Sequence, residues 1–342
     1  MNMTGRKDFL KMAMAATVVP AVVVAGEKTG CAGARLEVPE GAAFKDMDGA
    51  YAALITPFRA DGSLNEEMIE KVVDYGIRRG LRGFYLTGST GEGFLQSSDE
   101  RLRVYRRAVK AAAGRAKMIA HVGCLATHEA VALAKGAAAA GVDWVSSVAP
   151  VYFGQSFSAA YEHYNAIAGA TDLPFMIYSV GKQVNPDRDR KFFDIPNVMG
   201  MKYTGYAYWT VQALKLKLDK PAVFFAGADE QVLSALACKN VFSGCIGTTD
   251  NFIPAHFAKI CALAAEGRFA EAAVLQEEVV RLVELVVADE NESYWKSIMR
   301  YIGLDCGSHR LPAGKPLTEA EYAAYVAKIE KLGFIRKDDA IL

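Results

Sequence analysis

The sequence has no excess of charge of either sign, and this absence limits its possible partners. Of its 342 residues, 39 are Lys or Arg and 39 are Asp or Glu, so the formal net charge is zero. No long run of like charges compensates for this locally. Proteins that bind nucleic acid present basic patches or stripes to the phosphates. We therefore expect no nucleic acid partner.

Metal-binding patterns are also missing. The six cysteines include no CxxC pair, and the five histidines show neither HxxxH nor HExxH spacing. Such spacings bring ligands together in zinc and related sites. We therefore predict that no metal takes part. If Cys31 is removed with an N-terminal signal, an odd number of cysteines remains, so at least one thiol is unpaired within the chain.

The apolar run near the N-terminus is too short to span a bilayer comfortably. Basic residues in Arg6–Lys11 precede an uncharged stretch, Met12–Gly26, and Ala32-Gly33-Ala34 follows as a small-residue cleavage site. These are the parts of an export signal, and the order Arg-Lys-x-Phe-Leu-Lys resembles a twin-arginine signal. We predict that residues 1–34 are an export signal and that the mature protein is periplasmic or otherwise exported, without membrane association. The alternative is a mis-assigned start codon upstream of Met47, which would make the protein cytoplasmic.

The glycine-rich turn that a dinucleotide-binding fold needs after its first strand is absent, since Thr56-Pro57-Phe58 stands there. Instead, short β-rich runs alternate with longer amphipathic stretches, as in βα units of a parallel sheet. Eight such units predict an α/β fold, a closed (β/α)8 TIM barrel over residues 48–275, with an open doubly wound sheet as the alternative. Residues 276–342 show only helical patterns and are predicted to form a C-terminal helical extension. The predicted strands are Ala50–Thr56, Gly83–Thr87, Met118–Val122, Trp144–Val148, Phe175–Tyr178, Val198–Tyr203, Val223–Gly227 and Gly244–Thr248.

In a barrel of this type the chemistry takes place at the carboxyl ends of the strands. Lys202 lies near the end of the sixth predicted strand, after an apolar run where burial disfavours the charged ammonium form. A neutral amine attacks a ketone and forms a Schiff base. Taken alone, Lys202 is better explained as a lysine whose charge reaches water at the rim of the sheet.

Other strand ends carry groups that suit the same chemistry. The second strand leads into Gly88-Ser89-Thr90-Gly91-Glu92-Gly93, which suits a backbone nest for a carboxylate or phosphate, with a plain turn as the alternative. Tyr178 ends strand five, Asp229 and Glu230 follow strand seven, and Thr248 ends strand eight. Singly, a core tyrosine and two acids at a helix start would explain three of them. Those explanations do not predict that all of them gather on one face, which indicates a catalytic site.

Four motifs resemble the dihydrodipicolinate synthase/N-acetylneuraminate lyase family of pyruvate-dependent class I aldolases. The resemblance spans about residues 49–333, nearly all of the predicted mature chain. It implies that Lys202 is the Schiff-base lysine, that Tyr178 is the proton shuttle, and that Tyr152 supports the proton relay. It also implies that Ser89 and Thr90 hold the pyruvate carboxylate. The motifs are Leu54-Ile55-Thr56-Pro57-Phe58, Gly88-Ser89-Thr90-Gly91-Glu92, Ile177-Tyr178 and Gly200-Met201-Lys202-Tyr203-Thr204.

Within the family, the chain is more similar to the N-acetylneuraminate lyase branch, through Glu92–Ser97, Ile119–Cys124 and Gly227–Glu230. This similarity implies a set of contacts to the sugar end of the substrate. The implied contacts are Thr204, Gly227, Asp229, Glu230 and Thr248.

The departures from the family pattern lie on the sugar side. Ser179 and Gly181 replace the residues usual after the strand-five tyrosine, and the arginine of the synthase branch is missing there. Ala228 replaces an aromatic residue common in lyases. The pyruvate side is intact, so the chemistry is better supported than the substrate.

The resemblance implies reversible cleavage of a 2-keto sugar acid to pyruvate and an aldehyde, with N-acetylneuraminate and N-acetylmannosamine as the expected pair. It implies no cofactor beyond the covalent Schiff base on Lys202, and a homotetramer. Three alternatives stay open. They are 4-hydroxy-tetrahydrodipicolinate synthase, an aldolase for a different 2-keto-3-deoxy sugar acid, and a barrel that binds a sugar acid without turnover.

Overall fold

Eight parallel strands form a closed barrel in which each strand pairs with the next along the chain and the eighth pairs with the first. The computed structural model describes residues 39–341, apart from residues 153, 239 and 289–292, so the predicted export signal lies outside the described residues. The predicted TIM barrel is confirmed, and the ends of its strands differ from the predicted ends by at most three residues. The strands are β1 (Gly49–Ala53), β2 (Gly83–Leu86), β3 (Lys117–His121), β4 (Trp144–Val148), β5 (Phe175–Val180), β6 (Val198–Thr204), β7 (Val223–Ala226) and β8 (Gly244–Gly247).

The strands are buried on both faces. Alternate side chains point into the barrel, where Tyr51, Trp144 and Phe225 belong to one apolar cluster. Their neighbours, such as Ala50 and Ala52, belong to a second cluster between the sheet and the helices. Double burial explains why the strands are continuous apolar runs rather than alternating patterns.

The first strand ends at Ala53, three residues before the predicted end. The Ile55 N–H donates to the Asn251 side chain at 3.2 Å, and the Thr56 hydroxyl donates to the Gly91 carbonyl at 2.7 Å. These bonds draw the chain out of the sheet. Residues that the β-rich pattern assigned to a strand therefore belong to the loops at the barrel mouth.

The helices between the strands follow the predicted pattern. The amphipathic stretch after the seventh strand, Glu230–Cys238, forms a short α-helix over Val232–Ala237, because a 3-10 helix, Asp229–Gln231, precedes it. The helices are α1 (Glu66–Arg78), α2 (Ser98–Ala112), α3 (Thr127–Ala140), α4 (Phe157–Ala168), α5 (Pro186–Asp189), α6 (Tyr208–Lys215), α7 (Val232–Ala237), α8 (Pro254–Ala265), α9 (Phe269–Val287), α10 (Ser293–Tyr301) and α11 (Glu319–Leu332).

The C-terminal helices share the core of the barrel. Ile298 of α10 and Ile329 of α11 are completely buried in the cluster that also covers the outer face of the sheet. The predicted boundary at residues 275 and 276 lies inside α9. Within the described residues, no helix combines the length and the apolarity needed to cross a membrane.

Candidate active site

Lys202 lies near the end of β6 and is almost completely buried, with 5% of its surface exposed. It is the register partner of Tyr178 on β5. Its Nζ lies 4.6 Å from the centroid of the Tyr178 ring and 4.6 Å from that of Tyr85. Among the described residues, no carboxylate oxygen lies within 4.0 Å of Lys202 Nζ, the distance limit of an ion pair. The amine therefore lies against two aromatic rings, without a paired anion to stabilise its charged form.

Three side chains around Lys202 were not identified from the sequence as site residues. The hydroxyls of Tyr85 and Ser146 are 2.8 Å apart and share a hydrogen bond. The ring of His121 packs edge-on against Tyr178, with centroids 6.2 Å apart. Tyr85 and Ser146 lie inside their strands, where packing is the ordinary explanation of an aromatic or small side chain, so the strand-end rule did not select them. His121 is the last residue of β3, so the rule could have selected it.

His121 is held in its neutral form. Burial, aided by the positive charge of Arg101, lowers the pKa of His121 to about 3. Its Nδ1 lies 3.0 Å from the Thr87 carbonyl, and its Nε2 accepts from the Val148 N–H at 3.3 Å. Only the tautomer with the proton on Nδ1 satisfies both contacts. The imidazole therefore adds no positive charge beside Lys202.

The loop after β2 presents unused hydrogen-bond donors. The backbone N–H groups of Ser89, Thr90 and Gly91 make no hydrogen bond to any other described residue. Ser89 is exposed, whereas Thr90 is buried. Thr87 and Glu92 on either side adopt positive φ values of 51° and 56°, which non-glycine residues rarely adopt outside constrained sites. Free amide donors in a loop of fixed conformation can bind a carboxylate.

Neighbouring side chains hold this loop in place. The hydroxyls of Thr90 and Thr248 are 2.7 Å apart, which joins the loop after β2 to the end of β8. The side chains of Thr56 and Gln96 both donate to the Gly91 carbonyl, at 2.7 and 2.5 Å. Two residues predicted from separate strand ends, Thr90 and Thr248, are thus in direct contact.

Glu92 connects the same loop to the C-terminal extension. Its carboxylate is buried, and Lys296 Nζ and His309 Nδ1 each lie 2.8 Å from its Oε1. The backbone N–H of Arg310 donates to its Oε2 at 2.8 Å. Burial opposes ionisation of Glu92, but His309 and Lys296 outweigh it, so the pKa of Glu92 is lowered. The extension therefore supplies the positive charge opposite the loop, which its helical pattern did not reveal.

Gly227, after β7, lies directly against the lysine. A Cβ at this position would lie 3.1 Å from Lys202 Cε and 2.1 Å from Thr204 Oγ1. The Gly227 N–H donates to the Tyr203 carbonyl at 2.8 Å, so the backbone cannot easily withdraw. Only glycine leaves both side chains in place.

The two predicted acids lie at the same end of the barrel. Asp229 is buried, and its Oδ2 accepts from the backbone N–H and the hydroxyl of Thr249, both at 2.8 Å. Burial raises the pKa of Asp229. Glu230 is half-buried and accepts a hydrogen bond from Tyr206, which raises the pKa of that phenol. Asp229 thus holds the loop after β8, and Tyr206 is a further candidate that the sequence did not indicate.

Tyr152 lies apart from the buried group. Its side chain is 77% exposed on the loop after β4, whereas Tyr178 is 6% exposed beside Lys202. Its part in a proton relay stays a prediction.

A cavity of about 280 Å³ opens beside Tyr178 between β4, β5 and α4. Its lining includes Ser179 and Lys182, where the chain departs from the family pattern, together with the apolar side chains of Phe157 and Ile177. Tyr178 is part of the lining and Lys202 is not, so the cavity contacts the phenol but not the amine.

The arrangement suits attack by an amine on the ketone of a 2-keto acid. It combines a buried amine, an adjacent phenol and unused amide donors for a carboxylate. Within the described residues, no group of three or more His, Cys, Asp and Glu side chains could hold a metal ion.

Sequence comparison identifies relatives over most of the chain. The model of the dihydrodipicolinate synthetase family matches residues 46–332. N-acetylneuraminate lyase of Rhizobium meliloti (strain 1021) is 32% identical over 281 residues, which are 81% of this chain and 93% of that protein.

Solved structures of two kinds share the fold. CdNal from Clostridium difficile, in complex with mannosamine, superposes with a TM-score of 0.79 at 27% identity over 84% of this chain and 99% of that chain. Dihydrodipicolinate synthase from Bacillus anthracis superposes with a TM-score of 0.77 at 29% identity over 83% and 97%. The fold alone therefore does not separate the two activities.

Proposed function

We propose that this chain, which belongs to the dihydrodipicolinate synthetase family, is a Schiff-base class I aldolase. It cleaves a 2-keto sugar acid to pyruvate and an aldehyde. The proposed substrate is N-acetylneuraminate, and the proposed aldehyde is N-acetylmannosamine. The observation that carries the proposal is the buried amine of Lys202, which lies against the rings of Tyr85 and Tyr178. The lyase name of the Rhizobium meliloti relative and the mannosamine bound to CdNal support this choice of substrate.

The reaction begins with the amine. The lone pair of Lys202 Nζ attacks C2 of the substrate. One proton of the amine and the proton of the Tyr178 phenol pass to the C2 oxygen, which leaves as water, and an iminium forms. Ser89 and Thr90, with the amide donors of their loop, hold the carboxylate, so that C2 lies against the amine.

Tyr178 then moves the proton. Left as a phenolate by iminium formation, it takes the proton of the C4 hydroxyl. The C3–C4 bond breaks, and the electron pair of that bond passes to the iminium nitrogen, which leaves an enamine and the free aldehyde. Return of the proton to C3 restores the iminium, and water releases pyruvate and Lys202. The iminium is the electron sink, so the proposed reaction needs neither a metal nor an organic cofactor.

The sugar end of the substrate lies toward β7 and β8 in this proposal. Thr204 ends β6, Gly227, Asp229 and Glu230 follow β7, and Thr248 follows β8, so we assign these residues to the sugar side. Hydroxyl groups of a sugar acid suit the two carboxylates as hydrogen-bond acceptors.

Three other activities are kept as rivals. The first is the synthase reaction, which needs a grip on a second carboxylate. Lys182 at the rim of the cavity beside Tyr178 is the cation nearest in sequence to the missing arginine, but it is exposed on a loop. The second is an aldolase for another keto sugar acid, which the cavity and the departures around Ser179 would accommodate. The third is binding without turnover, and the retention of both Lys202 and Tyr178 argues against it.

Borohydride trapping with pyruvate tests the mechanism. We expect reduction to add the mass of the pyruvate adduct to the peptide that contains Lys202, and Lys202→Arg to abolish the adduct. A parent protein that takes up no adduct at saturating pyruvate would refute Schiff-base chemistry.

A substrate panel separates the rivals. Pyruvate release is measured from sialic acids and 2-keto-3-deoxy sugar acids, and pyruvate consumption is measured with aspartate semialdehyde. We expect the fastest turnover with N-acetylneuraminate. Faster turnover of another acid, or condensation with the semialdehyde, would transfer the assignment accordingly.

Assembly and location are proposed on the resemblance alone. A homotetramer is tested by sedimentation velocity, where a monomer would contradict it. Export is tested by N-terminal sequencing of the native protein, where an intact residue 1–34 segment would contradict cleavage.

A further inference from the structure

Asp250, in the loop after β8, is a buried carboxyl group that the proposed chemistry does not use. It is completely buried, and its Oδ2 has no hydrogen-bond partner among the described residues. Its Oδ1 accepts a weak contact from the Cys245 thiol at 3.7 Å. An ionised carboxylate in such surroundings is costly unless it is paired. The Asp250 carboxyl group therefore needs either a bound proton or a hydrogen-bonding partner.

The carboxyl group of Asp229 lies beside the same glycine, Gly247, as that of Asp250. From the point where a Cβ on Gly247 would stand, Asp229 Oδ1 is 1.8 Å away and Asp250 Oδ2 is 2.6 Å away. Thr249 already donates twice to Asp229 Oδ2, so Oδ1 is the oxygen turned toward Asp250. The absence of a side chain at Gly247 lets the two carboxyl groups approach.

No cation separates the two groups. Neither carboxylate has an ion pair among the described residues. Two carboxyl groups that face each other in a buried site cannot both ionise at little cost, and one proton between them removes the repulsion.

We infer that Asp250 is a positioning residue that shares one proton with Asp229 and donates it to Asp229 Oδ1. The shared proton leaves one negative charge on the pair and keeps the Asp229 carboxylate in a fixed orientation at the sugar end of the site. The inference rests on the proposed function, because it assigns to Asp229 the contact with the hydroxyl groups of the sugar. It deepens that function by making recognition of the sugar end depend on a carboxyl pair.

The charges around the pair favour one retained proton. Burial is the largest influence on both groups, and it raises the pKa of Asp229 and raises that of Asp250 well above its usual range. Lys202 acts in the opposite direction on Asp229, whereas Glu230 adds to the rise. The neighbouring Cys245 stays a neutral thiol, because its contact with Cys261 and its burial raise its pKa well above the ordinary value.

Loss of the shared proton has a direct consequence. As the pH rises through the apparent pKa of the pair, the second carboxylate ionises, and repulsion turns Asp229 away from its fixed position. The sugar end then binds less well, whereas the carboxylate of pyruvate is held by the separate donors of the loop after β2, and we expect its binding to change little. We therefore expect an alkaline rise in KM for the sugar acid without a matching rise for pyruvate.

The test compares Asp250→Asn with Asp250→Ala in the full-length protein. KM and kcat for N-acetylneuraminate are measured from pH 5 to pH 9, and the half-saturating pyruvate concentration is measured by borohydride trapping. The asparagine keeps a permanent N–H donor toward Asp229, so we expect the alkaline rise in KM to disappear. The alanine removes the donor, and we expect KM to rise about tenfold, the size of one lost hydrogen bond to a charged group. Both variants should keep the parent's half-saturating pyruvate concentration.

The controls separate this inference from the proposed function. Glu319→Gln, at an exposed ion pair on α11, should keep the parent's pH profile. If Asp250→Ala does not fold, the asparagine variant decides alone. An asparagine variant with the parent's alkaline rise, or an alanine variant with the parent's KM, would overturn the inference. If the parent traps no pyruvate, the proposed function fails. Carbon-13 NMR titration of labelled aspartate carboxyl groups then tests the inference: the parent should show a carboxyl group with a raised pKa that is absent from Asp250→Asn.

Discussion

Lys202 and Tyr178 are direct register partners on β6 and β5, and the lysine Nζ lies 4.6 Å from the centroid of the tyrosine ring. Adjacent parallel strands place their partnered side chains on the same face of the sheet. Here that face is the barrel interior at its carboxyl end. The amine proposed to attack and the phenol proposed to move the proton are therefore set beside each other by backbone pairing, before any loop contributes.

Tyr178→Phe separates proton transfer from Schiff-base formation. Removal of the phenol should lower kcat by about 10² to 10⁴, the usual contribution of a general acid or base. The ring remains against the lysine, so borohydride should still trap pyruvate on Lys202. Tyr322→Phe on α11 is the matched control and should keep the parent's kcat. A Tyr178 variant with the parent's turnover would remove the phenol from the mechanism.

Gly227→Ala tests the close packing around the lysine. The new Cβ would lie 3.1 Å from Lys202 Cε and 2.1 Å from Thr204 Oγ1, so both side chains must move. We expect a strong fall in the rate of adduct formation with pyruvate, measured by mass spectrometry after borohydride reduction. Gly154→Ala introduces the same methyl group where nothing lies within 4 Å, and it should react like the parent. Equal rates in the two variants would contradict the packing argument.

The buried contact between Glu92 and Lys296 predicts a large loss of stability when one partner is removed. Glu92→Gln leaves the lysine cation buried without its anion, and we expect a loss of about 3 to 5 kcal/mol in the free energy of unfolding. The double variant with Lys296→Met should lose less than the sum of the single losses, as a double-mutant cycle measures. The exposed pair of Arg300 and Glu319 is the control, and Glu319→Gln should cost at most about 1 kcal/mol.

The same cluster predicts a dependence on acid. The folded pKa of Glu92 is lowered, so its contribution to stability is present above the unfolded pKa and is lost as the pH falls through the lowered folded value. Urea unfolding of the parent should therefore show a loss of stability below about pH 4.5 that is smaller in Glu92→Gln. Parallel curves for the two proteins would contradict the ion cluster.

His121 predicts a second pH effect, in a higher range. Its pKa is lowered to about 3 in the folded protein, so the unfolded state takes up the proton first as the pH falls below about 6.5. Its contribution to stability is complete above that pH, and on the order of 4 kcal/mol is lost between there and pH 3. The free energy of unfolding of His121→Gln should change less steeply over this range. His256→Gln, at a half-buried histidine beside Glu278, provides the comparison.

Local pattern was enough to predict the barrel because each βα unit is encoded in its own stretch of chain. The runs of β-rich residues and the helical periodicities are local, and eight repeats leave few ways to close the sheet. The error at the first strand shows the limit of this rule. Thr56 continues a β-rich run, but its hydroxyl donates to Gly91, 35 residues later, and no local pattern contains that bond.

Strand-end position also predicted much of the candidate site. Lys202, Tyr178 and Thr248 were selected by this rule, and the contact between Thr90 and Thr248 joins two of the predicted strand ends. Tyr85, which was missed, lies within β2, where an aromatic residue has the same local signature whether it packs a core or lines a site. His121, also missed, ends β3, so the strand-end rule could have selected it. The histidines were considered only as metal ligands.

The sequence by itself determined the order of strands and helices, and it selected the candidate nucleophile and the candidate loop for a carboxylate, because short runs of neighbouring residues encode each of them. Only the tertiary structure decided what surrounds these groups. It brought Lys296 and His309 to Glu92 across more than 200 residues of chain, and it placed Asp250 opposite Asp229 across Gly247. Burial and charge pairing depend on which separate segments the closed barrel brings within a few ångströms of each other. A local sequence pattern does not contain both partners of such a contact.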